Sequence, residues 1–253
     1  MKIVELYKNK QHSWVMLGRD ETKPDKIIDT NQYLISHHEQ AILLDPGGIE
    51  LFAPMLEALV KILPLEQIKH LFASHQDPDI ISSLGLWDQV LDGAKLHSPW
   101  LWEGFIRHFG MEHTKFAPIP DEGGSLNLLG LELQFIPAHY LHSSGNFNVY
   151  DPKAKILFSG DLGAALEPID SPLFVEDFNS HISKMEYFHQ RWMPSEIAKQ
   201  DWIKRVRELD IEMMCPQHGR IFRGDKVTQF LDWFEQLPVG IANQTSTELD
   251  SKR

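Results

Sequence analysis

Apolar and polar positions along the chain alternate between the two periods that mark strands and helices. Residues 15–17, 33–36 and 41–44 are typical of short strands, and a Pro-Gly-Gly turn follows the last of them. In ELFAPMLEALVKIL, residues 50–63, the apolar positions recur at the spacing of an amphipathic helix. The segment HLFAS, residues 70–74, is typical of a buried strand. The pattern therefore predicts a fold that mixes strands and helices.

The second half of the chain continues in the same way. A helix is predicted over residues 98–110, with Ser98 as N-cap, Pro99 at the first helical position and Gly110 at its end. The other predicted elements are strands within residues 125–137, 146–151, 155–160 and 212–216, and helices over residues 181–192, 195–209 and 225–237. Because no repeat or linker interrupts them, we expect one domain over residues 1–240, followed by a polar tail over 241–253.

Composition and charge narrow the class of protein. A chain of 253 residues with 42% hydrophobic residues can bury a core without help. Its 36 acidic and 24 basic residues give a net charge of −12, which argues against binding to nucleic acid or anionic membranes. The single cysteine, Cys215, excludes an internal disulfide. Neither a signal peptide nor a run of about 20 apolar residues is present, so we expect a cytoplasmic protein.

Three side chains that can bind metal fall on alternate positions in the stretch ASHQDPDI. They are His75, Asp77 and Asp79. In an extended or turn segment such positions point to one side, whereas residues two apart on a helix do not face each other. Pro78 disfavours helix at Asp77. The stretch therefore predicts three converging ligands, with a polar Asp-Pro turn beside a histidine as the alternative interpretation.

Three later stretches each place a ligand-type residue at the end of a predicted strand. His142 lies in HSSGN, Asp161 in FSGD and His218 in QHG. Taken singly, these residues have ordinary explanations as a turn histidine, an aspartate that caps a loop and a histidine beside glycine. Together with the first stretch they favour a metal site.

The set, in this order, resembles the motifs of the metallo-β-lactamase superfamily. The resemblance runs from about residue 12 to residue 225, and LLDPGG, with Asp45 as a structural anchor, is similar to the superfamily's N-terminal strand and turn. It implies an α/β fold, a four-layer αβ/βα sandwich. It also implies a site with two metal ions.

Two departures from the superfamily's zinc hydrolases bear on the metal. Asp77 stands where those enzymes have a second histidine, and Ile80 stands where they have a histidine or aspartate. A set of three histidines and three aspartates suits iron better than zinc, with zinc and manganese as alternatives.

A carboxylate at position 77 also resembles the di-iron branch of the superfamily, the flavodiiron proteins and their relatives, which usually have glutamate there. That resemblance implies one iron on His75, Asp77 and His142, a second on Asp79 and His218, and Asp161 as the bridge. Ile80 cannot ligate, so the second metal would keep open positions for O₂.

Three functions are compatible with these motifs. Only 35 residues follow His218, too few for a flavin domain, and the chain has neither a Gly-x-Gly-x-x-Gly motif nor a cysteine cluster. The chain therefore most resembles the stand-alone di-iron proteins that bind O₂, which implies oxygen sensing and a signalling partner. The alternatives are an O₂ or NO reductase served by a separate electron donor and a metal-dependent hydrolase of thioesters, lactones or phosphodiesters.

Neighbouring residues are candidates for tuning the site or for contacts with other chains. His139 and Tyr140 are candidates for hydrogen bonds around the metals or for a contact with bound O₂, and lining the loop is the alternative. The predicted C-terminal helix has an apolar face that either packs on its own domain or forms a homodimer or partner interface. This face consists of Val227, Phe230, Leu231 and Phe234.

Overall fold

The computed structural model describes residues 1–23 and 27–243. Its strands are β1 Lys2–Asn9, β2 His12–Gly18, β3 Gln32–His37, β4 Gln40–Leu44, β5 Ile68–Phe72, β6 Lys95–Pro99, β7 Lys115–Ile119, β8 Gly124–Leu128, β9 Leu131–Pro137, β10 Phe147–Asp151, β11 Ile156–Gly160, β12 Met213–Pro216 and β13 Phe222–Arg223. Its helices are α1 Phe52–Leu59, α2 Pro78–Ile81, α3 Leu84–Val90, α4 Glu103–Ile106, α5 Phe178–Trp192, α6 Glu196–Val206 and α7 Asp225–Gln236. Short 3₁₀ turns cover Ile49–Leu51, Leu65–Gln67, Trp100–Trp102, Arg107–Phe109 and Ile241–Asn243.

The strands form two mixed sheets. The first has the order β1-β2-β3-β4-β5-β6-β7, antiparallel up to β4 and parallel from β4 to β7. The second has the order β13-β12-β11-β10-β9-β8, and only β11 and β12 run parallel. Each sheet thus contains parallel neighbours whose carboxyl ends lie at the same edge, where loops commonly carry binding residues.

Three apolar clusters show that the two sheets lie between two layers of helices. Side chains alternate across each strand: on β2, Trp14 and Met16 join the cluster between the sheets, whereas Val15 and Leu17 join the cluster that contains α1 and α3. On the second sheet, Phe158 faces the cluster between the sheets. The third cluster packs the outer face of the second sheet against α5, α6 and α7. The architecture is the four-layer sandwich that the sequence predicts.

Most predicted elements are present, but the segment over residues 98–110 differs. Ser98 and Pro99 end strand β6 and do not begin a helix. After them come a 3₁₀ turn, the four-residue α4 and another 3₁₀ turn, which ends at Gly110 with a φ of +84°. The predicted continuous helix is therefore wrong at its start, because β6 pairs with β5 and β7 on both sides. Strands β1, β7 and β13 and the short helices α2 and α3 have no counterpart among the predicted elements.

The face formed by Val227, Phe230, Leu231 and Phe234 on α7 is buried within this chain and belongs to the cluster behind the second sheet. It packs on its own fold, the first of the two alternatives. In the described ranges, none of the helices is both long and apolar enough to cross a bilayer. The predicted tail lies outside the described residues from residue 244 onward.

Candidate metal centre

All six predicted ligands follow strand ends at one edge of the sandwich. His75 lies three residues after β5, Asp161 directly after β11 and His218 two residues after β12. His142 lies in the loop between β9 and β10. The first sheet carries His75 and the two aspartates that follow it, and the second sheet carries the other three residues.

Asp161 lies at the centre of the set because its two carboxylate oxygens face two separate groups of candidate ligands. The first group contains His75 and His142, and the second contains His218. Oδ2 is 2.6 Å from Nε2 of His142 and 3.4 Å from Nε2 of His75. Oδ1 is 3.3 Å from Nε2 of His218. This is the arrangement expected of a carboxylate that bridges two metal ions.

The remaining aspartates divide between the same two groups. Oδ2 of Asp77 is 3.6 Å from Nε2 of His75 and 3.5 Å from Nε2 of His142. Oδ2 of Asp79 is 3.4 Å from Nε2 of His218. Ligand atoms of His75, Asp77 and His142 all lie within 4.8 Å of one another, a spacing that fits a single ion.

The expectation that residues 75, 77 and 79 point to one side of an extended segment is wrong. Asp77 is extended, with a φ of −71° and a ψ of 145°, but it is the N-cap of α2, in which Pro78 is the first residue and Asp79 the second. The change from extended to helical backbone turns Asp79 away from Asp77 and towards His218. The short stretch from residue 75 to residue 79 therefore contributes candidate ligands to both groups.

His75 is oriented by a chain of hydrogen bonds through Ser74 to Asp45. The backbone N–H and the hydroxyl of Ser74 donate to the Asp45 carboxylate at 2.8 and 2.7 Å. Because the hydroxyl hydrogen is thereby used, Nδ1–H of His75 donates to Ser74 Oγ at 2.9 Å. Nε2 therefore faces Asp161 and is the ring nitrogen that is available to a metal ion. Asp45 is the structural anchor that the sequence predicts.

His218 is oriented by the backbone of the loop that precedes β3. Its Nδ1–H donates to the carbonyl oxygen of Asp29 at 3.0 Å, which directs Nε2 at Asp79 and Asp161. Gly219 has a φ of +82°, and a Cβ there would lie 2.6 Å from the carbonyl oxygen of Ala165. Only glycine fits this position, which explains the His-Gly pair of the motif.

The HSSGN turn is tied to the segment that carries His75. Asn146 is fully buried and donates to the carbonyl oxygen of Leu141, which closes the turn around His142. Ser143 donates to Oε1 of Gln76 at 2.7 Å. The second of these contacts joins the loops of the two sheets beside the candidate ligands.

Helix α5 supports the site from behind through His189, a histidine that no sequence motif marks as part of the site. Its Nδ1–H donates to the carbonyl oxygen of Met185, and its Nε2 accepts from the backbone N–H of Gly163. The ring thereby fixes the turn that follows Asp161. Only the long-range packing of α5 onto this turn reveals the role, because no local motif surrounds His189.

Burial and opposite charge act against each other on the pKa values of the site. Burial favours the neutral form of Asp161, but the facing imidazoles of His142, His218 and His75 outweigh it and hold the pKa of Asp161 well below the usual range. Burial disfavours protonation of His75 and His218, but Asp161 and the other facing aspartates raise the pKa of His75 well above 6.5 and that of His218 to about 9. Burial raises the pKa of Asp79. The carboxylates thus attract positive charge, which protons or metal ions can supply.

Two buried atoms support the fit of a metal pair. Nε2 of His75 and Oδ1 of Asp161 have no hydrogen-bond partner within the described parts of the chain. Unpaired buried polar atoms are costly, and metal coordination would satisfy both. The donor set of three imidazole nitrogens and three carboxylates fits iron.

His139, Tyr140 and Ile80, the predicted neighbours of the candidate ligands, make their contacts elsewhere. Nε2–H of His139 donates to the carbonyl oxygen of Asp121, and Tyr140 is 53% exposed. Neither makes a hydrogen bond to the six candidate ligands in the residues that the structure describes. Ile80 is buried in the apolar cluster beside α1 and α3 and offers no ligand atom.

A cavity of about 700 Å³ lies away from these residues. It is lined by the β1–β2 and β3–β4 turns and includes Lys8, Lys10, His12 and Glu39. None of the six candidate ligands lines it. The cavity lies where β4 begins, whereas the candidate centre lies where β5 ends.

Two sheets between helix layers, with histidines and aspartates at the strand ends around one central carboxylate, define a protein of metallo-β-lactamase type. Within that class, the chain belongs to the family described as "ODP family beta lactamase", whose model matches residues 28–219. The match covers most of the chain and includes all six candidate ligands.

Solved structures of high similarity include a sensor protein. A structure described as the "peroxy diiron species of chemotaxis sensor ODP" is 37% identical, with a TM-score of 0.85 over 96% of this chain and 98% of that chain. The apo state of chemotaxis sensor ODP from T. denticola matches equally, over 96% of this chain and 97% of that chain. The flavodiiron protein of Giardia intestinalis is 20% identical, with a TM-score of 0.79 over 94% of this chain and 60% of that chain, and shows the shared fold alone.

Among curated proteins, an uncharacterised protein of Methanocaldococcus jannaschii is 25% identical over 210 residues. The alignment covers 80% of this chain and 52% of the relative, so the chain spans about half the length of that relative.

Proposed function

We propose that this protein binds O₂ at a two-iron site and serves as an oxygen sensor. One iron would be held by His75, Asp77 and His142, and the other by Asp79 and His218. The observation that carries the proposal is the position of Asp161, whose Oδ2 faces the first group while its Oδ1 faces the second. The two irons, when bound, would supply the redox chemistry that O₂ binding requires.

The donor set supports iron over zinc. Zinc sites favour nitrogen and sulfur ligands in a tetrahedron, whereas a mixture of imidazole and several carboxylates suits harder, redox-active ions. Asp77 and Asp79 add two negative charges to that of Asp161, which offsets part of the charge of two iron ions. The similar structure of chemotaxis sensor ODP, described with a diiron species, supports the same choice.

The protein's own residues perform three tasks in this proposal. Ser74 and the Asp29 carbonyl hold His75 and His218 in the tautomer that leaves Nε2 free to bind metal. Asp161 holds negative charge between the two groups. The buried Asp45 carboxylate, whose pKa burial raises to about 7, anchors the hydrogen-bond chain behind His75.

The sensing role is supported by similarity to a chemotaxis sensor at 37% identity over nearly the whole chain. A sensor reports to another molecule, so we propose a signalling protein as partner. We further propose that the protein forms a homodimer, that it is cytoplasmic and that residues 1–240 fold as a single domain.

A direct test begins with protein prepared without oxygen and reconstituted with Fe(II). Metal is counted by mass spectrometry, and the visible spectrum is recorded before and after air is admitted. Two irons per chain and a new, lasting charge-transfer band are the expected result.

Three other results would contradict the proposal. Two zinc ions in the protein as isolated, with no iron bound on reconstitution and no colour, would favour a hydrolase. Sustained O₂ or NO consumption with an added electron donor would favour a reductase. Iron without any spectral response to air would exclude O₂ binding.

A further inference from the structure

The last turn of α5 presents two stacked aromatic rings to the candidate metal centre. Phe188 and Trp192 are four residues apart and therefore lie on the same face of the helix. Their ring centroids are 5.6 Å apart and their planes differ by 14°. Trp192 is half exposed, so the stack lies between solvent and the interior of the site.

Both rings meet the imidazole of His142 nearly at right angles. The centroid of Trp192 is 5.4 Å from that of His142, with an interplanar angle of 80°, and the centroid of Phe188 is 6.3 Å away at 88°. The ring of His75 lies on the His142 imidazole at 5.0 Å and 84°. Edge-to-face packing of this kind is a favoured geometry of aromatic rings. The plane of the His142 ring is thus defined by three neighbouring rings.

His142 differs from the other two histidines in how its second nitrogen is held. Nδ1 of His75 is fixed by Ser74, and Nδ1 of His218 by the carbonyl of Asp29. In residues 1–23 and 27–243, no protein group forms a hydrogen bond with Nδ1 of His142. Its side chain is also the most exposed of the three, at 13% against 1% and 6%. Metal-binding histidines usually have such a hydrogen bond, which sets their orientation.

We propose that the stack of Phe188 and Trp192 is the positioning element for His142. It holds the imidazole by aromatic packing, in place of a hydrogen bond, with Nε2 directed at Asp161. The inference rests on the proposed two-metal function and assigns α5 a part in it. Both rings touch a ligand of the first metal, and neither is in ring contact with His218 of the second group. The stack therefore controls the affinity of the first metal alone.

The test uses the full chain and three variants: Trp192→Ala, Trp192→Phe and Tyr187→Ala. Tyr187 lies on the same helix and is 67% exposed, so its removal is the matched control. Fe(II) is titrated without oxygen against a competing chelator, which resolves the affinity of each of the two sites. Thermal unfolding of the metal-free proteins checks that the fold is retained.

We expect Trp192→Ala to weaken one of the two iron sites about tenfold, the lower end of the effect of losing a group that orients a ligand. The other site keeps its affinity. Trp192→Phe retains a flat ring and stays within about twofold of the unsubstituted protein, as does Tyr187→Ala. All metal-free unfolding midpoints agree.

Equal affinities in Trp192→Ala and the unsubstituted protein would overturn the positioning role while the proposed function stands. Equal losses at both sites, or a loss that Trp192→Phe does not restore, would also overturn it. If the unsubstituted protein binds no iron or ignores O₂, the proposed function fails by itself. The same titration with Zn(II) then decides the positioning role independently.

Discussion

Asp161 is the residue on which the two halves of the candidate centre depend. It is 2% exposed, and all three candidate histidines face it with their Nε2 atoms. Its negative charge is retained in spite of burial because these histidines hold its pKa well below the usual range. No other residue of the set faces both groups.

Replacement of Asp161 by alanine should therefore abolish the paired site. We expect Asp161→Ala to retain clearly fewer than two irons per chain after dialysis and to lose the spectral change on exposure to air, because both metals lose a shared ligand. Metal counting by mass spectrometry checks this, with Asp92→Ala, a change at an exposed surface carboxylate, as control. A full complement of two irons in Asp161→Ala would refute the assignment of the bridge.

A second residue-scale effect concerns the histidines of β5 and β6. Nδ1 of His70 and Nε2 of His97 are hydrogen-bonded at 2.9 Å, and both side chains are buried. Burial lowers the pKa of His70 to about 4 and that of His97 to about 3. Between these values and about 6.5, these two histidines bind more protons in the unfolded chain than in the folded one, so their contribution to stability rises with pH in that range.

We therefore expect this histidine pair to lower the stability of the metal-free protein as the pH falls from about 6.5 towards 4. Substitution His97→Gln removes one of the titrating groups, so its stability should depend less steeply on pH in this window, even if it is lower at pH 7. Urea unfolding midpoints at several pH values measure the two slopes. Parallel slopes would show that His97 does not contribute to acid sensitivity.

At the scale of elements, α6 and α7 are joined by a buried charge. Lys199 on α6 is 1% exposed, and its Nζ donates to the carbonyl oxygens of Glu235 and Leu237 at 3.1 and 2.6 Å. It also pairs with Glu196 on its own helix. The last carbonyls of a helix lack partners within it, and a cation near them is favourable. Lys199 thus fixes the end of α7, which packs against α5 and α6.

Removal of this ammonium group should lower stability without altering the metal site. We expect Lys199→Met to reduce the free energy of unfolding by about 1–3 kcal/mol, since it leaves buried carbonyl oxygens without a donor. Urea unfolding measures the loss, and Lys204→Met, at an exposed position of the same helix, is the control. An unchanged unfolding midpoint in Lys199→Met would show that water replaces the lysine as donor. The number of bound irons should be the same in both variants and in the unsubstituted protein.

At the scale of the whole molecule, the candidate centre lies across the two sheets. His75, Asp77 and Asp79 follow β5 of the first sheet, whereas His142, Asp161 and His218 belong to loops of the second sheet. The cluster between the sheets consists of apolar side chains and holds them together without metal. Two bound ions would add direct links between the sheets at one edge.

Metal binding should therefore stabilise the entire fold. At free Fe(II) about 100-fold above the dissociation constant, we expect a gain of about 2.7 kcal/mol for each site that only the folded state forms. Anaerobic urea unfolding with Fe(II) and with excess chelator measures the difference. The Asp161→Ala variant should show a much smaller gain, and an equal gain in both proteins would indicate binding elsewhere.

The sequence by itself determined the class of fold and the identity of the candidate ligands. The continuous apolar runs of β2 and β4, which are buried on both faces of the first sheet, and the helical period of α7 are local patterns that the order of residues records directly. The candidate ligands could be chosen from the sequence because strand ends carry short motifs, such as FSGD and QHG, that resemble those of the superfamily. Strand β6 was mistaken for a helix start because the pairing of Ser98 and Pro99 with neighbouring strands is a long-range contact that local signals do not contain.

Only the tertiary structure decided how these residues are held. It turned Asp79 towards His218 through the start of α2, and it brought Ser74, Asp29 and His189 behind the site. It also placed Phe188 and Trp192 on His142 and excluded a role for the apolar face of α7 outside its own chain. These partners lie far apart in sequence, and their contacts exist only once the sheets and helices have packed.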